Sequence, residues 1–160
     1  MILPAPFAPP VDGRQSDTAL AVGRGVGRML AWIGHSILFE MVLASGRRAD
    51  VVALSDKGEI WIVEIKSSLA DLRADAKWPD YRLHCDRLFF AAPPDLSIDI
   101  FPEETGFICA DAHGAEILRE APEHRLAPAT RRAMMLRFAR LAAARLHGLH
   151  DPGIGGRVEF

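Results

Sequence analysis

Asp50, Glu64 and Lys66 are the residues whose types and spacing could do chemistry together, in the otherwise apolar run "RRADVVALSDKGEIWIVEIKSS", residues 47–68. A three-residue DKG loop between two apolar strands is commonly a type I turn closed by a left-handed residue, and Gly58 stands where that residue is needed. This geometry sets Ser55 opposite Glu59, Leu54 opposite Ile60, Val52 opposite Ile62 and Asp50 opposite Glu64. Directly opposite residues have Cβ atoms about 4.5 to 5.5 Å apart, where two like charges destabilise the pair. Lys66 emerges on the face of Glu64 roughly 6.6 Å further along the strand. Its neighbours Ile60, Trp61, Ile62, Val63 and Ile65 read as buried, and ionised groups there are costly unless paired or bound to a metal. Two readings are open. Lys66 could bridge the two carboxylates as a structural ion pair, or Asp50, Glu64 and a carbonyl could hold a hard divalent cation, since Mg²⁺ takes carboxylate oxygens and keeps waters for chemistry.

Three strands must position these groups: Ser36 to Ala44, Ala49 to Ser55 and Glu59 to Lys66, an antiparallel meander with SGR and DKG turns. If the SGR loop pairs Ala44 with Arg48, Glu40 shares a face with Asp50 and is a third acid there; a two-residue loop puts it on the other face. Ahead of the meander, Ser16 to about Ile33 has a cap-like start and helical spacing of apolar residues. Gly23, Gly25 and Gly27 lack the spacing and the preceding strand of a phosphate loop, so they read as close packing of this helix on a sheet. After the meander, Ser68 and Asp71 have capping-box spacing at the start of a short helix that stops at Pro79, with a second turn through "YRLHCD". "RLFFAA" is a buried strand, "TGFICAD" and "AEILREA" form a hairpin around "AHG", and Ala129 to about His147 is the closing helix. On that helix Met134, Met135, Phe138, Leu141 and Leu146 read as a core arc, while Arg132, Arg137 and Arg140 form a face that is either solvated or in contact with phosphates.

With 160 residues, 49% apolar and 25% charged, the chain has ordinary globular composition and suits one domain over 14–150. Residues 1–13, interrupted by Pro4, Pro6, Pro9 and Pro10, read as an extended arm, and 151–160 as a tail. Nothing approaches the roughly 18 uninterrupted apolar residues of a membrane span, so no membrane partner is expected. Cys85 and Cys109 form no metal or disulfide pattern, which suits a reducing cytoplasm; His84, His113 and His124 have no partner at metal-ligand spacing. Net charge is only -2, but six arginines and no acid fall between His124 and His150. Such asymmetry can give a near-neutral protein one basic face for a polyanion.

Ala49-Asp50, thirteen residues, then Glu64-Ile65-Lys66 resembles the signature of the PD-(D/E)XK, or restriction-endonuclease-like, nucleases, with Ala49 where proline is usual. The longer text "RRADVVALSDKGEIWIVEIKSSLADLRADAKWPDYRLHCDRLFFA" resembles the MmcB family of bacterial DNA repair proteins. The resemblance implies an α/β fold with a restriction-endonuclease-like core: a helix, the three-strand meander, then a helix and strand in a mixed sheet, here with an extra hairpin and a C-terminal helix. It implies a Mg²⁺- or Mn²⁺-dependent endonuclease, a hydrolase of DNA phosphodiesters acting in repair, with other repair proteins as further partners. Asp50, Glu64 and the carbonyl of Ile65 would be metal ligands, and Lys66 would orient or help deprotonate the attacking water. Lys77 and Tyr81 have the spacing of the QxxxY motif of RecB-like members, lysine replacing glutamine, although a surface lysine and a core tyrosine are the plainer reading of the pair. The alternative is a non-catalytic DNA-binding or recruitment module on the same fold. Should the Arg132, Arg137 and Arg140 face be merely solvated, Arg47, Arg48, Arg73 and Lys77 are the other cations available to phosphates.

Overall fold

The computed structural model describes residues 16–152. The arm expected over 1–13 lies outside the described residues, as does the tail beyond 152. Helix α1 (Asp17–Trp32) starts where Ser16 Oγ accepts the N–H of Ala19 at 3.1 Å. Strands β1 (Ser36–Val42), β2 (Arg48–Leu54) and β3 (Ile60–Ile65) follow, then α2 (Leu69–Ala74), a 3-10 helix (Trp78–His84) and β4 (Arg87–Ala92). A hairpin of β5 (Gly106–Ala110) and β6 (Ala115–Arg119) leads to α3 (Pro128–His150). All six strands lie in one sheet in the order of the chain. β3, β4 and β5 are parallel, and the outer pairs are antiparallel. The mixed α/β architecture is the one expected, and the extra hairpin extends the sheet through β5. β3 and β4 are apolar on both faces because helices cover both sides of these central strands.

Val22, Val26 and Leu30 of α1 pack on Val51, Ala53, Val63 and Phe89 on one side of the sheet. Met134 and Phe138 of α3 and Tyr81 of the 3-10 helix pack on Val52, Ile60, Ile62 and Leu88 on the other. The approach of α1 depends on Gly25, where an added Cβ would lie 2.1 Å from the Asp111 carbonyl oxygen and 2.4 Å from that of Gly114. The core stripe of α3 is narrower than expected: Met135 and Leu146 are 37% and 57% exposed. The helix lies partly over the β1 edge, where Arg145 donates to the carbonyls of Phe39 and Glu40 and Arg137 to that of Val42. Edge carbonyls that would otherwise be open to another strand are thus taken by guanidinium groups. No described helix is long and apolar enough to cross a membrane.

The DKG hairpin has the expected register, with Leu54 opposite Ile60 and Val52 opposite Ile62, and Gly58 has a φ of +80°. Two boundaries differ from expectation. β1 ends at Val42, which pairs with Arg48 in place of Ala44, because Leu43 turns its N–H onto the Arg47 carbonyl at 2.7 Å. The shift is of two residues, so Glu40 comes across from Asp50 in place of Val52, but with a left-handed φ of 54° that interrupts the ladder. Met41, Leu43 and Ala49 then pack with Val52 and Ile62, so both strands change the face they present at Glu40 and Asp50. Second, α2 stops at Ala74 and not at Pro79, as Asp75 leaves helical angles at ψ 82°. Pro79 instead lies in the first turn of the 3-10 helix, where a missing N–H does no harm.

Asp86 was not singled out by the sequence, yet it ties three elements together. Buried at the start of β4, its carboxylate accepts the N–H of Ile60 at 2.8 Å, that of Leu126 at 2.9 Å, and both terminal nitrogens of Arg131 from α3.

Candidate active site

The β2–β3 ladder ends at Val51 and Val63, and beyond it the two acids hold the strands. Asp50 Oδ2 accepts the N–H of Ile65 at 2.8 Å, and Glu64 Oε1 accepts the N–H of Asp50 at 3.2 Å. Each carboxylate thus does the work of a carbonyl on the opposite strand. The pairing leaves Asp50 Oδ1 and Glu64 Oε2 without a hydrogen bond from any described residue. The other side of β3 is pinned to β4 by the Lys66 N–H, which donates to the Ala91 carbonyl at 2.9 Å. The result is a fork between β2 and β3 with the acids at its base.

Both acids are short of solvation. Glu64 is only 3% exposed. Burial, then the neighbouring charge of Asp50, push it well above the usual carboxylate range. Burial likewise pushes Asp50 up to about 6, against the opposing pull of the Ile65 N–H and of Lys66.

Lys66 does not bridge the two carboxylates. Its buried ammonium lies 2.7 Å from Asp75 Oδ2, at the end of α2, and 5.9 Å from the centre of the Phe90 ring. Burial works against the ammonium, but the hydrogen bond and charge of Asp75, with the charges of Glu64 and Asp71, outweigh it and raise the pKa above that of an ordinary lysine. Sequence reasoning missed Asp75, for it has no motif spacing, and only the course of α2 brings it to Lys66.

The other residues singled out fall around this centre unequally. Glu40 is near enough for its charge to act on Asp50, but it forms an ion pair with Arg48. Tyr81 is buried and donates to the Arg48 carbonyl at 3.2 Å. Burial and the charges of Glu64 and Asp50 raise its pKa. Lys77 is not brought in: its side chain is exposed, because it precedes the 3-10 helix on the outer side, and only its backbone N–H, donated to Asp75 Oδ1 at 3.1 Å, touches the site. Arg137 reaches Val42, whose strand partner Arg48 is two residues from Asp50. Arg137 and Arg140 line an open groove with Leu83 and His84, whereas Arg132, exposed on the same helix, does not line it. Of the other cations, Arg47 pairs with Asp80 at 2.6 Å and Arg48 with Glu40.

Among the described residues, no three His, Cys, Asp or Glu side chains converge as a complete metal cage. The fork offers one buried and one half-buried carboxylate, each with one oxygen to spare, beside the Ile65 peptide. This all-oxygen donor set fits a hard divalent cation that keeps most of its waters, as Mg²⁺ does with one or two carboxylates.

Fold and site together define an α/β protein with an acidic fork at the strand ends of a mixed sheet. The chain belongs to the MmcB-like family of DNA repair proteins, whose family model matches residues 7–153. A solved structure of a protein of unknown function from Silicibacter pomeroyi is similar, with 45% identity and a TM-score of 0.85 over 91% of this chain and 99% of that one. No curated protein matches the chain.

Proposed function

We propose that this chain is a metal-dependent DNA nuclease of the PD-(D/E)XK type that hydrolyses phosphodiester bonds during DNA repair. The observation that carries this reading is the Asp50–Glu64 fork, a half-buried and a buried carboxylate crowded together, each with one oxygen not taken by a backbone N–H, next to a buried ammonium. The order helix, meander, helix and parallel strand around it supports the same reading. Membership of a DNA repair family supports DNA as the substrate. Asp50, Glu64 and the Ile65 carbonyl would hold Mg²⁺ or Mn²⁺, which when bound supplies Lewis-acid activation of water and neutralises charge on the phosphate. Asp50 and Glu64 are held rigid by the backbone bonds they accept, so the donor oxygens need little reorganisation. Lys66, kept protonated beside Asp75, presents N–H donors to an attacking water or to a phosphate oxygen as negative charge builds there.

The test is incubation of the purified protein with Mg²⁺ or Mn²⁺ and labelled single-stranded, nicked, flap and branched DNAs. Wild type should cut at least one of them, and Glu64→Ala and Lys66→Ala should each slow cutting by roughly 100-fold or more with unchanged circular dichroism. Binding without cutting by the wild type, in either metal, would favour the non-catalytic DNA-binding module instead.

A further inference from the structure

We propose that Asp75 is a positioning residue that keeps the Lys66 ammonium off the carboxylates of Asp50 and Glu64, leaving the fork open to a divalent cation. The role rests on the cation of the preceding reading and adds to it a residue outside the motif. Lys66 leaves the strand two residues after Glu64, and a four-carbon side chain there has both acids within range of its charge. Yet its ammonium is paired with Asp75 at 2.7 Å, with the two side chains only 8% and 13% exposed. Neither Asp50 nor Glu64 forms an ion pair with it among the described residues.

Asp75 can act this way because it is itself anchored. Its Oδ1 accepts the Lys77 N–H, and its own N–H donates to the Leu72 carbonyl at 3.1 Å. The helix it ends is tied to the strand end by bonds from the Asp71 N–H to Ser68 Oγ at 3.1 Å and from the Ser67 N–H and hydroxyl to Asp71 Oδ2 at 3.0 and 3.4 Å. A fixed acid thus holds the ammonium near the fork without letting it settle on the oxygens that a cation would use. With Asp75 neutral, the ammonium would be drawn to Glu64, and an internal ion pair in a poorly solvated fork is a strong competitor for a metal.

Mn²⁺ would be titrated calorimetrically into metal-free wild type, Asp75→Asn, Asp75→Glu, Lys66→Ala and the Lys66→Ala/Asp75→Asn double variant, without DNA. Asparagine keeps the acceptor for the Lys77 N–H, and no residue of α2 is buried, so the variant should fold; a melting curve checks this. Asp75→Asn should bind Mn²⁺ about 10-fold to 100-fold more weakly, as loss of an outer-shell partner typically does. Asp75→Glu, which restores the charge, should recover part of the loss. The double variant should match Lys66→Ala, since no ammonium remains to compete. Wild-type affinity in Asp75→Asn, or a weakening that persists in the double variant relative to Lys66→Ala, would overturn the role while leaving the metal site standing. Absence of Mn²⁺ binding by the wild type would overturn the metal site and this role together.

Discussion

Asp50 and Glu64 lie at strand ends where sequence reasoning placed them, and the reason is local: a tight turn fixes the register of everything within a few residues of it. The same reasoning does not extend to Asp75, which meets Lys66 only because α2 ends early. The plainer reading of Lys77 and Tyr81, a surface lysine and a core tyrosine, is the one seen, for Lys77 sits outside the helical turn that follows. At this scale the crowding of the acids has a thermodynamic consequence. Asp50→Asn keeps an oxygen for the Ile65 N–H and removes one of two like charges, so the metal-free variant should melt above the metal-free wild type. Mn²⁺ should raise the melting temperature of the wild type by mass action and leave that of the variant unchanged. Equal metal-induced rises in the two proteins would mean that Asp50 is no ligand.

Among the elements, those with strong periodicity or turn chemistry were legible: α1, the meander, β4 and the β5–β6 hairpin. Their ends were less so, since the stop of β1 depends on the Leu43–Arg47 backbone bond and that of α2 on an aspartate that pairs with a distant lysine. The glycines of α1 were correctly read as packing devices, but not as unequal ones. At Gly25 a methyl group would meet two backbone carbonyl oxygens that cannot turn aside, whereas at Gly27 it would meet the tip of the Phe39 ring at 2.9 Å. Gly25→Ala should therefore lose about 1 to 3 kcal/mol or more, the usual range for an overpacked interior, and Gly27→Ala clearly less. Urea unfolding of both variants measures this, and a larger loss at Gly27 would contradict the packing described for α1.

In the molecule as a whole, Asp86 joins β3, β4 and α3, and its four bonds depended on tertiary contacts that no spacing in the sequence could reveal. Burial alone would raise its pKa, but the Arg131 guanidinium and the N–H groups of Ile60 and Leu126 prevail and hold it below the usual range. A depressed carboxylate stabilises above its unfolded pKa, and that contribution is lost as pH falls through the folded one. Asp86→Asn should thus cost about 3 to 5 kcal/mol at neutral pH, as breaking a buried pair does. The gap from wild type should close as pH drops below the unfolded aspartate value of about 3.9, and a gap independent of pH would rule out the charge as its source. The basic side of α3 is tested by salt: with Ca²⁺ replacing Mg²⁺, Arg137→Ala and Arg140→Ala should each flatten the slope of log K against log[salt] for DNA binding by about 0.7 to 0.9. Arg132→Ala, outside the groove, serves as the control, and slopes equal to wild type in all three would make the arc merely solvated. The arginine contacts of α3 with the β1 edge have a further consequence, for the order of folding. The hairpins of the meander close over a few residues, but the bond from Arg145 to Phe39 spans 106 positions, and so long a loop is closed late. Until α3 docks, the edge carbonyls of β1 remain open to strands of other chains, and the nascent sheet is most prone to aggregate in that interval.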